Sequence, residues 1–363
     1  MAPQKKKKKR RLTPFGKFLK YSWRAIVALS AVIVTLFVVW TVAVRPPAVP
    51  APNPTAPAPS NVPVSSGEPS TGLGRKKTYY TFLLAAFDQQ GGSTDTMMVA
   101  SYDAVAHTAN MVSVPRDTML DRRVGAYHYY RLNGAYINGE YANGEGGGIQ
   151  ELRSAVSAQL GIPIDYYVVV DLKNFVTIVD AVGGVDFEVP VYMDYYDPTQ
   201  DLKIYYEKGM HYGLTGQQVM EIARCRKNTI WHSDGTYEIY DTYPDGDIGR
   251  NRTQQELLKA IAKKLISWNN WDKVLKFIDI FNASVDTNMS LLDMAFFGQD
   301  AIAKDALSTL ATATIPGIGD VRYQGQEWLY QYDIPGSLDI INTMLNPYTT
   351  PVTEDMVSML QVK

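Results

Sequence analysis

Apolar, β-branched runs that stop abruptly at charged residues set the pattern of the first half of the chain. Thr81-Phe82-Leu83-Leu84-Ala85-Ala86-Phe87 ends at Asp88, Asp95-Thr96 opens a second run from Met97 to Ser101, and Val112-Ser113-Val114-Pro115 ends in Arg116-Asp117-Thr118. Each reads as a buried strand, with the proline closing the last. The period then lengthens to that of helices. Asn133 to Tyr141 is one, and Ile149 to Leu160 another, with Ile149, Leu152, Val156 and Leu160 on one face and Gly161 as its C-cap. Ile164 to Val170 predicts a strand, Leu172 to Val182 a helix, and Gly183-Gly184 a turn into a strand ending at Val189. Thr215-Gly216 caps a predicted helix through Ala223, and a long helix from Arg250 to Ser267 carries Leu257, Leu258, Ile261 and Leu265 on one face. Asn228 to Pro244 reads as a polar and aromatic insertion. The C-terminal third reads as mostly helical, with strands at Thr312 to Ile315 and Trp328 to Tyr332. Alternating strands and helices of this kind predict an α/β domain, a mixed central β-sheet flanked by helices on both faces.

One apolar stretch fits no soluble element. Ala25 to Val44 holds no charged residue, about the 20 residues that a helix needs to cross a bilayer. Lys5 to Arg11, Lys17, Lys20 and Arg24 precede it, so the positive-inside rule keeps the N-terminus in the cytoplasm and exports the rest. A single-pass anchor is expected. A cleaved signal peptide is the alternative, but the run is longer than a usual signal core and no clean small-residue cleavage site follows. Pro46 to Pro69 is a Pro, Ala, Ser and Val segment suited to an extended spacer. The expected organisation is a basic cytoplasmic segment over 1–24, an anchor over 25–44, a linker over 45–77 and a catalytic domain over 78–363.

Charge changes the picture of the basic run. Residues 1–45 carry 11 Lys and Arg and no acidic residue, which leaves 24 basic against 37 acidic groups in the remainder. An acidic exported domain argues against nucleic acid as a partner, and the basic run serves topology and anionic-lipid contact. Cys225 is the only cysteine, so no intramolecular disulfide forms. It stands between Arg224 and Arg226 with no histidine near, which speaks against a thiol nucleophile. His107, His128, His211 and His232 form no ligand-spaced pair and read as structural.

The candidate chemistry sits at element ends. Asp88, Asp95, Arg116 and Asp117 follow or open strands, Arg224 and Arg226 close a helix, and Arg250 opens one. Carboxylates and arginines gathered in this way point to a metal and a phosphate, because guanidinium forks bind phosphate bidentately and stay charged. Taken singly, each has a structural reading: an ion pair for Arg116-Asp117, dipole-favoured charges for Arg224 and Arg226, a turn for Asp88, and helix capping for Asp245 and Asp247. Gly144 to Gly148 reads as a mobile loop rather than a phosphate cradle, since no Gly-Lys-Ser/Thr follows. The aromatic stretch Trp231 to Tyr243 covers the site, recognises sugar through ring stacking, or forms a surface flap.

Seven blocks in order carry a resemblance. They are Asp95-Thr96-Met97-Met98, Ser113 to Thr118, Leu132-Asn133-Gly134-Ala135-Tyr136, Leu160 to Asp165, Gly183-Gly184-Val185-Asp186, Ala223-Arg224-Cys225-Arg226, and Gly246-Asp247-Ile248-Gly249-Arg250 through Gln254-Gln255. The chain resembles the LytR-CpsA-Psr family, over residues 78 to 363. The resemblance implies a membrane-anchored enzyme of Gram-positive envelopes that transfers a glycopolymer, such as teichoic acid or capsule, from an undecaprenyl-pyrophosphate carrier to a peptidoglycan hydroxyl. It implies a pyrophosphate clamp of Arg116, Arg224 and Arg226 with Arg250 and Gln254 adjoining, Mg²⁺ held by Asp88 and Asp95, and a lipid slot between the sheet and its helices. Asp95 or Asp117 serves as general base. A prenyl-pyrophosphate hydrolase and a non-catalytic protein that binds lipid-linked polymer are the alternatives. Two positions depart from the family pattern: Gln90 stands where Gly-x-Asp-x-Arg ends in arginine, and Thr253 where an arginine precedes the Gln pair, with Arg252 one residue earlier.

Overall fold

The computed structural model describes residues 44–49, 74–87, 92–197, 202–267, 271–303, 306 and 310–362. The basic segment, nearly all of the expected anchor, most of the linker, Asp88 and Gln90 lie outside these residues. No helix among the described residues is long and apolar enough to cross a membrane. Two compact units are distinguished, residues 1–47 with Ser290–Phe297 and residues 48–289 with 298–363. The sheet, both apolar cores and the site belong to the second.

In chain order the elements begin with β1 (Tyr79–Phe87), β2 (Thr94–Asp103), β3 (Thr108–Ser113), β4 (Met119–Val124) and β5 (Tyr127–Arg131). Then come α1 (Ala135–Asn143), α2 (Gly147–Leu160), β6 (Tyr166–Asp171), α3 (Leu172–Val182) and β7 (Val185–Val189). β8 (Met193–Asp197), β9 (Leu202–Tyr206), β10 (Gly209–Leu214), α4 (Gly216–Arg224), β11 (Lys227–Trp231) and β12 (Tyr237–Asp241) follow. The chain continues through α5 (Asp247–Ile266), α6 (Trp271–Ser284), β13 (Asp286–Thr287), α7 (Leu291–Ala303), β14 (Ala311–Thr314), β15 (Gly317–Tyr323), β16 (Gln326–Tyr332) and α8 (Ile334–Ile340).

Six strands make the central sheet in the order β13-β6-β1-β2-β3-β14. β1 is parallel to β6 and β3 to β14, while β2 runs antiparallel to both of its neighbours. The carboxyl ends of β1, β3 and β6 therefore share an edge with the start of β2. That shared edge is what gathers Asp95, Arg116 and Asp117 from separate strands.

Side-chain alternation sorts the strands onto two faces. Leu83 lies opposite Val99, and Val99 opposite Val112. These join Ala85, Met97 and Val169 in a core closed by Leu152, Val156 and Leu160 of α2 and by Ile341 and Leu345 after α8. Leu84, opposite Met98 and Val168, points to the other face. There a second core is built from Val179 and Val182 of α3, Val185 and Val189 of β7, Val219 and Ile222 of α4, and Leu257 and Ile261 of α5. Helices cover both faces, as the sequence pattern predicts.

Local chemistry fixes the ends of these helices. Asp171 accepts from the Asn174 N–H to cap α3, and Thr215 and Gln218 form a reciprocal capping box on α4. Gly161 closes α2 at φ +67°, the left-handed conformation expected of it. Gly144 to Gly146 connect α1 to α2, as the expected loop does, while Gly147 and Gly148 open α2 and lie at the contact between the two helices. A Cβ at Gly147 would lie 2.5 Å from the Gly139 carbonyl, so the backbones of α1 and α2 meet where only glycine fits. The aromatic insertion is a β-hairpin, β11–β12, and the C-terminal third carries β15 besides the two expected strands.

A buried ion pair ties the entry segment to the sheet. Asp165, almost fully buried, accepts from Arg75 at 2.5 Å and from the Thr81 N–H at 2.9 Å. Burial pushes its carboxyl above the ordinary range, and Arg75 and Thr81 oppose this. Arg75→Ala leaves that charge without its cation, and its expected cost is about 3 kcal/mol, read from the denaturant midpoint of the full chain.

Candidate active site

Pro115 ends β3 and the chain turns sharply. Thr118 closes the turn with its N–H on the Pro115 carbonyl at 3.2 Å. Asn133 and Tyr330 donate backbone N–H groups to the Arg116 and Asp117 carbonyls at 2.9 and 2.8 Å. The backbone that displays Arg116 and Asp117 is thus pinned from two sides. Arg116 reaches Asp95 Oδ1 through Nη1 at 2.5 Å and stands 3.5 Å from Asp117 Oδ2 through Nε. Asp117 Oδ1 is taken by Arg131 at 3.0 Å. Both Asp117 oxygens face arginines, which fixes the carboxylate beside Arg116. Burial lowers the Arg116 pKa, but Asp117, Asp95 and Asp247 outweigh it and hold the guanidinium above its ordinary value.

The other arginines arrive from the opposite layer. Arg224 is the last residue of α4, and Cys225 beyond it is extended and fully buried. Side chains alternate about an extended residue, so Arg224 and Arg226 turn away from the core and line one cavity together with Arg250. Asp247 bridges two of them, 3.4 Å from Arg226 Nε and 3.2 Å from Arg250 Nη2. It was expected as a cap, yet α5 has no side-chain cap, and its carboxylate serves the arginines instead. Arg250 is nearly fully buried and its Nε has no hydrogen-bond partner. Burial, opposed by Asp247, pushes its pKa down to about 10.

Gln254 lies at the same cavity, with its amide committed. Nε2 donates to the Ala223 carbonyl at 2.9 Å and Oε1 accepts from Thr96 at 3.4 Å, so it braces the end of α4 against β2. Thr253 is buried and bonds the Gly249 carbonyl, and the exposed Arg252 pairs with Asp245. Arg252 therefore does not stand in for the arginine of the family pattern. Arg131 and Asp247 are the two site residues the sequence pattern did not mark. The Asp247 and Arg250 spacing of three within a helix was the legible signal.

The cavity encloses about 620 Å³ between the second face of the sheet and α3, α4, α5 and α6. Its floor is Leu84, Met98, Val168 and Val170, and its roof includes Phe175, Leu258, Leu265, Phe277 and Phe281. Asp95, Thr96, Arg116, Arg224, Arg226, Lys227, Arg250 and Gln254 supply its polar lining. A smaller cavity of about 60 Å³ shares Asp95, Arg116 and Arg250 and is bounded by Asp117, Asp247 and Tyr330. An apolar chamber joined to four arginines suits an amphiphile with a long hydrocarbon and a multiply charged anionic head.

Metal and thiol chemistry are constrained too. Among the described residues no three His, Cys, Asp or Glu side chains are grouped to hold a metal. Asp95 is the carboxylate at the mouth that gives a single oxygen to an arginine. The Cys225 thiol is pushed up to about 11 by burial, against a hydrogen bond shared with Thr242. Cys225→Ala is accordingly expected to keep its transfer rate, and the native thiol to resist alkylation at neutral pH. The four histidines pair elsewhere, His107 with Asp300, His128 with Asp121, His211 with the Glu207 carbonyl and His232 with Glu238.

Known proteins share sequence and fold with this chain. The chain is 32% identical over 207 residues to the polyisoprenyl-teichoic acid–peptidoglycan teichoic acid transferase TagV of Bacillus subtilis (strain 168), covering 56% of this chain and 47% of that protein. It thus spans about half the length of that relative. The transferase TagU of Bacillus anthracis (strain CDC 684 / NRRL 3495) is 28% identical over 267 residues, 73% of this chain and 77% of that protein. The crystal structure of B. subtilis TagV superposes with a TM-score of 0.59 at 25% identity, covering 76% of this chain and all of that one. Protein gbs0355 of Streptococcus agalactiae shares the fold, with a TM-score of 0.61 at 19% identity over 78% of this chain and 92% of that one. Residues 58–345 match the LytR_cpsA_psr family, and the chain belongs to it.

Proposed function

We propose that this chain transfers a glycopolymer of the teichoic acid type from a polyprenyl-pyrophosphate carrier, undecaprenyl in chemistry, to a peptidoglycan hydroxyl. The observation that carries the reading is a cavity whose apolar body opens onto Arg116, Arg224, Arg226 and Arg250. Relatives named as polyisoprenyl-teichoic acid–peptidoglycan teichoic acid transferases support it. The apolar run at 25–44 and the basic segment before it support a domain anchored to the outer face of the cell membrane.

The residues divide the work simply. The chamber over Leu84 and Met98 takes the prenyl chain, which leaves the pyrophosphate among the arginines. Arg116, held between Asp95 and Asp117, presents its fork to charge that builds on the phosphoryl oxygens. Arg250 and Arg226, joined through Asp247, neutralise the second phosphate. The acceptor hydroxyl gives its proton to the carboxylate of Asp95 or Asp117, its oxygen forms the new bond to the phosphorus that bears the polymer, and the bond from that phosphorus to the oxygen of the prenyl phosphate breaks. Mg²⁺ takes one or two carboxylates and leaves its other positions to phosphate and water, which fits a mouth with Asp95 in place. Asp88 and Asp95 would hold it, and when bound it supplies further neutralisation of the pyrophosphate.

The test is transfer of labelled lipid-pyrophosphate-linked polymer to peptidoglycan oligomers by the full chain. Metal-dependent transfer is expected, falling to background in EDTA and returning with Mg²⁺. Labelled phosphate release without acceptor would establish a hydrolase instead, and tight lipid binding without turnover a binding protein.

A further inference from the structure

We propose that the smaller cavity is the port through which the acceptor alcohol reaches the reacting phosphorus, and that Asn251 orients the alcohol oxygen there. This rests on the transfer reading and adds the direction of attack. Attacking and leaving oxygens stand roughly in line across a transferred phosphoryl group. The prenyl phosphate departs on the side of its hydrocarbon, which the large cavity holds. The acceptor therefore comes from the far side of the groups that grip the phosphorus. Asp95, Arg116 and Arg250 line both cavities and mark that junction. Beyond them the small cavity continues between the end of β3, the end of β14 at Thr314, the first turns of α5 and Tyr330 of β16.

Charge divides the two cavities in the sense that the reaction needs. Arg224, Arg226 and Lys227 line the large one and not the small one, on the side where the leaving phosphate gains negative charge. Asp117 and Asp247 line the small one and not the large one, and Asp95 reaches it from the junction. A carboxylate there takes the proton of the alcohol as its oxygen bonds to phosphorus, and the electron pair of the broken P–O bond stays on the prenyl phosphate. Size selects in the same direction. The port encloses about 60 Å³ and one water takes roughly 15 Å³, so an alcohol arm enters and a hydrocarbon or polymer strand does not. Asn251, one turn after Asp247 on α5, is its uncharged polar group, and its carboxamide has no hydrogen-bond partner among the described residues. Gln254, in contrast, has its amide committed to Ala223 and Thr96. A free carboxamide N–H holds the alcohol oxygen and leaves the O–H for a carboxylate. Ile248, half exposed, lines the port beside it.

The experiment measures initial rates of polymer transfer by the full chain in nanodiscs, with labelled lipid-linked donor and peptidoglycan oligomers each varied while the other saturates. Ile248→Trp fills the port from a half-exposed position, and Asn251→Ala removes the carboxamide and puts a better helix former in its place, so melting should be kept in both. Acceptor KM is expected to rise at least about tenfold in Ile248→Trp. In Asn251→Ala, kcat/KM for the acceptor should fall about fivefold, the effect of one lost neutral hydrogen bond. Donor KM should keep its parent value in each. A raised donor KM with acceptor KM kept would give the small cavity to the donor's polymer and overturn the port. Parent values of both constants in both variants would overturn the port alone, because transfer itself would stand. Absence of transfer from the parent, with prenyl pyrophosphate still bound, would overturn the transfer reading and the port with it.

Discussion

Arg116→Ala is expected to lower kcat/KM for polymer transfer roughly 1,000-fold, the effect of removing a preorganised cation from phosphoryl transfer. Its guanidinium is the group that Asp95 and Asp117 hold at 2.5 and 3.5 Å at the junction of the two cavities. Asp117 keeps Arg131 in the variant, so the turn survives and the melting temperature should move little. Arg116→Lys restores charge without the planar fork, and it should recover only part of the rate. Transfer by Arg116→Ala at the parent rate would remove the clamp from the mechanism. A parallel fall in melting temperature and rate would mark Arg116 as structural.

Leu84→Trp is expected to separate stability from function in the opposite sense. Leu84 stands at the middle of the cavity floor, flanked across the sheet by Met98 and Val168. An indole there enters a chamber of about 620 Å³ instead of overpacking a core, so melting should stay the same or rise. Prenyl-chain atoms lose that space. Each displaced methylene forgoes about 0.8 kcal/mol, so two already weaken carrier binding by about tenfold. The measured KM for lipid-linked donor should rise while kcat at saturation is kept. Unchanged donor affinity would mean that the hydrocarbon lies elsewhere.

The strands and helices that could be read before the structure are those with one wet and one dry side. β7 is of this kind, with Val185, Phe187 and Val189 buried and Asp186 and Glu188 exposed between them. α3 runs over the expected residues, Leu172–Val182. β11 and β12 were missed because most of their side chains are exposed on both faces and give no alternation to read. Gln254 lines the cavity with its amide bonded to Ala223 and Thr96, a bracing contact that residue type alone does not reveal.

By itself the sequence determined which residues bring charge to the ends of elements, which faces are apolar, and how far the family pattern extends, because these depend on local order along the chain. Only the tertiary structure decided how they meet. The antiparallel run of β2 between β1 and β3 brings Asp95 to Arg116 across 21 positions of chain. Helix packing over the second face sets Arg250 beside Arg226 through Asp247 and leaves a chamber where side chains of α3, α5 and α6 do not close on the sheet. A cavity is a property of what fails to touch, and contacts between distant segments carry no signature in the order of residues.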